Sequence, residues 1–131
     1  MKNRLAICGT TAALAFSGLA LSAPSAIAAP GSDCQSSAAC LYYNSGLHGA
    51  IWWTTSSEPN LDGYVFIRDH ESAGKGKKVK NNAASIVNHT RKTVRVYFNS
   101  GYRGAYDSVT AGHWRDLVNT KNNNASLEVR R

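Results

Sequence analysis

The chain has four histidines, His48, His70, His89 and His113, and only His70 has acidic neighbours on both sides, Asp69 and Glu71. Such a cluster binds a metal only with a third ligand supplied from elsewhere in the fold, so it reads as a charged, solvent-facing loop, and no metal site is assigned. No serine stands in a nucleophile-elbow context, and no pair of carboxylates is marked as acid and base. These residues do not ask for an enzyme. The densest charge is Gly74-Lys75-Gly76-Lys77-Lys78-Val79-Lys80. It lacks the frame of a phosphate loop and the Ser or Thr after its lysine. Read plainly it is a solvated loop; read functionally, Lys75, Lys77, Lys78 and Lys80 form a candidate basic patch for an anionic polymer. Nucleic acid is not expected, because no aromatic residue lies among these lysines or anywhere between Phe66 and Tyr97.

Residues 1–28 do not belong to the fold. Lys2 and Arg4 precede an apolar, uncharged run, and Ala26-Ile27-Ala28 gives a small-x-small cleavage site, the pattern of a secretory signal peptide. The run is interrupted by Gly9, Thr10, Thr11, Ser17 and Gly18 and ends at Pro24, too short for a membrane span. Cleavage after Ala28 leaves about 103 residues, one small domain, expected to be secreted and monomeric. Fifteen Lys and Arg against eight Asp and Glu give +7 for the whole chain, and loss of Lys2 and Arg4 leaves an excess of about five. Cys8 leaves with the leader. Cys34 and Cys40 remain, and export to an oxidising space makes their pairing the expectation. Such a short bridge ties down an N-terminal arm, residues 29–40, and adds about 2 kcal/mol.

The elements that must carry the loops are duplicated. Tyr42-Tyr43-Asn44-Ser45-Gly46-Leu47-His48-Gly49-Ala50 aligns without gaps on Tyr97-Phe98-Asn99-Ser100-Gly101-Tyr102-Arg103-Gly104-Ala105, and Lys-Asn-Asn-Ala-Ala-Ser ending at Ser85 returns as Lys-Asn-Asn-Asn-Ala-Ser ending at Ser126. The offset is 55 at the start of the unit and 41 at its end, so the first copy holds 14 extra residues, placed in the stretch 54–78. His48 matches Arg103, as a solvated position would. Thr93-Val94-Arg95-Val96-Tyr97-Phe98 and Ser126-Leu127-Glu128-Val129 alternate, Tyr64-Val65-Phe66-Ile67 is a short apolar run, and Asn-Ser-Gly supplies turns. No window carries a helical stripe. The expectation is an all-β sandwich in residues 41–131, built from two units of about 41–90 and 91–131.

An aromatic residue followed seven positions later by glycine (Tyr42 to Gly49, Tyr97 to Gly104), closed by an Asn-rich turn ending in serine (Ser85, Ser126), resembles the Greek-key signature of the βγ-crystallins. The resemblance implies two Greek keys, with each glycine in a backbone state closed to other residues and the tyrosines covering the fold. The exported chain with Cys34-x5-Cys40 running straight into Leu-Tyr-Tyr-Asn-Ser-Gly is further similar to secreted proteins grouped with the streptomycete metalloproteinase inhibitor, which implies a secreted metalloproteinase as partner. That inhibitor's binding loop is held by a second disulfide, and this chain has no cysteine after Cys40. Residues 56–78 are the candidate loop on length and exposure alone, and dispensable to the sandwich because the second copy does without them.

Calcium-binding members of the βγ-crystallins carry Asn or Asp at the first position of the turn and a hydroxyl at the fifth. Here those positions are Lys80 and Ala84, and Lys121 and Ala125. Calcium wants six to eight oxygens and usually carboxylate charge; the turns are therefore read as closed by their own hydrogen bonds, with no cofactor expected. Of Trp52 and Trp53, one should face the core and one solvent, and Trp114 is expected between the units. The alternative functions are a cationic protein that binds cell envelope or wall polymer in a killer-toxin-like way, and a structural extracellular protein.

Overall fold

A computed structural model of the chain describes residues 18, 31–67 and 71–131. The leader reading (Gly18 apart) and His70 with Asp69 lie outside the described residues. Seven strands follow: β1 (Ala39–Asn44), β2 (His48–Thr54), β3 (Ser85–Asn88), β4 (Val94–Asn99), β5 (Arg103–Val109), β6 (Trp114–Asp116) and β7 (Ser126–Val129). They form two antiparallel sheets, in the orders β2-β1-β3-β6 and β5-β4-β7. The fold is all-β, two Greek keys closed into a sandwich, as expected. The units exchange strands. β6 belongs to the second unit by sequence yet pairs with β3 of the first, and Glu58 of the first unit bridges Leu127 on β7.

The core lies between the sheets, where alternate residues of each strand meet: Leu41, Trp52 and Ile86 from one, Val94, Val96, Val109 and Leu127 from the other. Residues of opposite parity on the first sheet, Cys40, Tyr42, Ile51 and Val87, form a second buried cluster with Leu47, Cys34 and Ala38. The Cys34–Cys40 disulfide folds the N-terminal arm over that outer face. Tyr42 lies beneath the arm, fully buried, with its hydroxyl donating to Asp33 Oδ1 at 2.8 Å.

Each repeat motif closes a hairpin in the same way. The β1–β2 register runs to Tyr42 opposite Ile51 and then slips to Asn44 opposite His48; β4–β5 runs to Tyr97 opposite Tyr106 and slips to Asn99 opposite Arg103. The slip places Leu47 and Tyr102 at φ +60°, a costly state for a side-chain-bearing residue. The serines hold it. Ser85 Oγ accepts from Leu47 N–H at 3.0 Å and donates to Asn44 O at 2.6 Å; Ser126 Oγ accepts from Tyr102 N–H at 3.1 Å and donates to Asn99 O at 2.7 Å.

Gly49 and Gly104 follow at φ +83° and +84°. A Cβ on Gly49 would stand 3.1 Å from Ala73 O and from Tyr43 Cβ, whereas on Gly104 its nearest neighbour is the movable amide of Asn99. Gly49→Val is therefore expected to cost about 1 to 3 kcal/mol, and more than Gly104→Val. His48→Ala, at an exposed side chain, should stay within about 0.5 kcal/mol. Denaturant melts of the three variants check the order, and equal losses would contradict the assignment of the two hairpins.

Three expectations need correction. Tyr64-Val65-Phe66-Ile67 forms a single bridge, Val65 to Lys78, rather than a strand of a sheet. Trp52 is buried and Trp53 faces solvent, but Trp114 lies on edge strand β6, 43% exposed, and not between the units. The stretch 56–78 is no free loop either. Glu58 joins β7, and Leu61 and Phe66 are fully buried in the core, because a sheet edge left bare at β2 needs cover and this segment provides it.

Candidate functional site

The pseudo-twofold relation locates the extra residues of the first unit. Leu61 N–H donates to Ala125 O and Leu117 N–H to Ala84 O, both at 2.9 Å, so Leu61 and Leu117 are equivalent. From Leu61 the first unit takes a detour to Val79, and the second goes almost directly from Leu117 to Thr120. The detour is a pinned ribbon. Phe66 N–H bonds Lys77 O at 2.9 Å, Gly76 N–H bonds Phe66 O at 2.8 Å, and Val79 N–H bonds Tyr64 O at 2.9 Å. Two further bonds fix it to β2: Ile67 N–H to Ile51 O at 3.2 Å and Ala50 N–H to Ala73 O at 2.8 Å. Glu71 clamps the adjoining hairpin, accepting from Gly49 N–H at 2.9 Å and meeting His48 Nδ1 at 2.8 Å.

Side chains of this ribbon alternate as an extended segment must. Phe66 points inward and meets Tyr43 edge-on at 5.8 Å. Val65 and Ile67 on either side point outward, 40% and 60% exposed. Lys75, Lys77 and Lys78 are exposed on the return leg, with Lys78 bridged to Asp62 at 3.2 Å. Lys80 stands apart from them in the repeat turn, donating to Asn60 Oδ1 at 3.3 Å and Ser100 Oγ at 3.4 Å.

The two Asn-rich turns meet across the pseudo-twofold axis: Asn81 N–H bonds Asn124 O, and Asn122 N–H bonds Ala83 O, each at 2.8 Å. The one residue that differs between the turns is Asn124 against Ala83. Fully buried, Asn124 accepts from Ala83 N–H at 3.0 Å and donates to Val79 O at 2.8 Å, crossing to the space that its counterpart's methyl leaves open. Beside each turn lies a cleft, one of about 360 Å³ with Asn44, Ser45, Asn82, Ala84 and Lys121 in its wall, the other of about 300 Å³ with Asn99, Ser100, Asn123, Ala125 and Lys80. Neither wall holds a carboxylate, and no group of three or more His, Cys, Asp or Glu gathers among the described residues. In the second cleft the Lys80 ammonium already occupies the Ser100 hydroxyl oxygen. These residues do not fit calcium. Millimolar calcium is expected to add less than about 1 kcal/mol of stability; a melting temperature that climbs ten degrees or so and falls back with chelator would contradict this.

One structural residue escaped the sequence reading. Asp107, 1% exposed on β5, accepts from Thr120 Oγ1 at 2.7 Å and from the N–H groups of Thr120, Asn119 and Val118 at 2.9, 3.3 and 3.2 Å, with Arg115 Nη2 at 3.4 Å. Burial alone would raise its pKa. The hydrogen bonds from Thr120, Asn119 and Val118 outweigh burial and hold it below the usual carboxylate range. Its counterpart in the first unit is Trp52, which packs on Tyr64 of the ribbon at 5.0 Å between ring centres. Where the ribbon exists an indole packs against it; where it is missing a carboxylate gathers in the short link that replaces it. An offset of 55 pairs Asp107 with Trp52, and that mismatch was the signal available.

Peptidase inhibitor family I36 matches residues 27–109, from the arm through the ribbon to the end of β5. The chain belongs to peptidase inhibitor family I36. No curated protein matches it. Among solved structures it is similar to one of the eye lens βγ-crystallin domain fold (12% identity, TM-score 0.58, covering 72% of this chain and 86% of that one). It is similar also to a βγ-crystallin from Ciona intestinalis (14%, 0.53, 71% and 99%) and to one from an archaeon (17%, 0.51, 73% and 100%). At these identities the likeness is one of fold, and the fold is βγ-crystallin-like. As a member of the I36 family the protein is an inhibitor and not an enzyme, with a peptidase as its partner. Family and disulfide together mark it as an extracellular protein.

Proposed function

We propose that this I36 protein is a secreted inhibitor of a metalloproteinase, exported by the leader at residues 1–28, and that the ribbon after Leu61 is the element it presents. One observation carries the reading: an extended segment offers Val65 and Ile67 to solvent while Phe66 between them is locked in the core. A proteinase cleft takes an extended chain with side chains on alternate sides, and a segment already fixed in that form binds with little ordering cost. The bonds to Ile51 and Ala50 of β2 would also hold the segment in place after any cut, so that it leaves slowly.

A second reading rests on Lys75, Lys77 and Lys78, exposed on the same ribbon, as a site for anionic wall polymer. The readings separate in one pair of variants. Val65→Asp with Ile67→Asp should weaken proteinase inhibition by at least about a hundredfold, since charged groups must then be buried in an apolar contact. Changing the three lysines to Gln should leave inhibition alone and flatten the salt dependence of binding to wall polymer. If the Asp pair inhibits as well as the parent, the ribbon is not the inhibitory element; if the Gln set binds polymer unchanged, the patch reading fails.

A further inference from the structure

The duplication supplies an internal comparison that the inhibitory reading does not use. β2 and β5 are equivalent edge strands, yet β2 is buried along most of its length and β5 is exposed at Arg103, Gly104, Ala105 and Tyr106 in succession. The ribbon makes the difference. It gives β2 two main-chain bonds, at Ala50 N–H and Ile51 O. The matching groups on β5 are Ala105 N–H and Tyr106 O, and among the described residues no strand lies beyond β5. Side chains stand in for the missing strand: Asn119 Nδ2 donates to Tyr106 O at 2.9 Å and Arg115 Nη1 to Ser108 O at 3.3 Å. Such caps blunt an edge, and the exposed Asn119 side chain can turn away from Tyr106 O without breaking any strand pairing.

The outer faces differ in the same sense. On the first sheet Cys40, Tyr42, Leu47, Ile51 and Val87 lie under the disulfide-tied arm. Their counterparts on the second are Arg95, Tyr97, Tyr102, Tyr106 and Glu128, with no arm above them among the described residues; Tyr97 is buried by its neighbours, Arg95, Tyr102 and Glu128 are half-buried, and Tyr106 is exposed. Tyr97 lies 6.1 Å from Tyr102 and 5.5 Å from Tyr106, ring centre to ring centre, and the Arg95 guanidinium sits 4.3 Å over the Tyr106 ring. Rigid tyrosine and arginine on a firm sheet are the side chains that anchor protein interfaces. Charge indicates what fits. Arg95, Arg103 and Arg115 border the edge, Asp107 is buried beneath it, and Glu128 is taken up by the Tyr97 hydroxyl at 2.8 Å and by Arg130 at 3.3 Å.

We infer that the outer edge of β5 is a second binding site, which takes an extended acidic strand of a partner polypeptide by main-chain pairing, with Tyr106 and the arginines reading its side chains. A second copy of this chain is disfavoured, because edge-to-edge pairing would bring together two edges that are each bordered by Arg95, Arg103 and Arg115, like charge beside like.

The test uses the 15N-labelled protein and two blocked peptides of equal length, one alternating Glu and Val, the other Lys and Val. It needs no proteinase, so its outcome is separate from the inhibitory reading. The acidic peptide should shift and protect the amides of residues 103–108 and bind at least about tenfold more tightly than the basic one. Arg103→Glu, checked for folding in the same spectra, should remove that preference. No shift at millimolar peptide, shifts centred on the lysines of the ribbon, or an unchanged preference in Arg103→Glu would overturn the proposal. So would concentration-dependent shifts in β5 without peptide, which would assign the edge to a second copy.

Discussion

Asp107→Ala should destabilise the protein by about 3 to 5 kcal/mol, as removal of one partner from a buried charged network does. Three N–H groups at residues 118–120 lose their acceptor together, and Arg115 loses its counter-ion. A domain of this size has about 5 to 15 kcal/mol in hand, so the variant should melt far below the parent. The pH dependence has a definite sign. Because the folded-state pKa of Asp107 is lowered, its contribution is present above the unfolded carboxylate pKa, near 3.9, and is lost as pH falls through the folded value. The parent should therefore lose stability on acidification below about pH 4, and Asp107→Asn should flatten that part of the profile. Urea melts across the acid range check both; a variant within 1 kcal/mol or so of the parent would mean that the link at 118–120 does not depend on the carboxylate.

Phe66→Ala should cost about 3 to 5 kcal/mol, the range for a large side chain removed from a well-packed core. Phe66 sits fully buried against Tyr43, between the sheet and the ribbon that covers β2. Replacing residues 62–78 by the short link of the second unit should be more damaging still. It would strip Phe66 from the core and leave Trp52 without Tyr64, whereas the second unit tolerates the short link only because Asp107 gathers it in. Lys77→Gln on the exposed leg of the same ribbon should fall within about 0.5 kcal/mol. Thermal and denaturant melts decide; a small loss for Phe66→Ala would return the segment to the status of a surface loop.

The architecture was legible because its signals are local and occur twice. The spacing from Tyr42 to Gly49 and from Tyr97 to Gly104, with Ser85 and Ser126 at the ends, fixes two hairpins whose glycines and serines do the work their types allow. What the repeat could not show is where the copies differ for a reason. An apolar run such as Tyr64-Val65-Phe66-Ile67 carries no mark of whether it pairs within a sheet or lies over its edge, since both bury alternate residues. Trp114 invited a place in the interior through its size, yet β6 is an edge strand formed by exchange between units, and exchange leaves no trace in periodicity. Lys80 looked like one of four neighbouring charges. Turn geometry sends it to Ser100 of the other unit. Asp107 was hidden among alternating residues, and only its alignment with Trp52 exposes it.

The most direct test of the account is a tight-binding titration of a thermolysin-like metalloproteinase with the mature protein at moderate salt, followed by residual peptide hydrolysis. Stoichiometric loss of activity at nanomolar concentrations is expected, carried by the ribbon at Val65 and Ile67. Full proteinase activity in the presence of micromolar protein, folded by its spectrum, would contradict it.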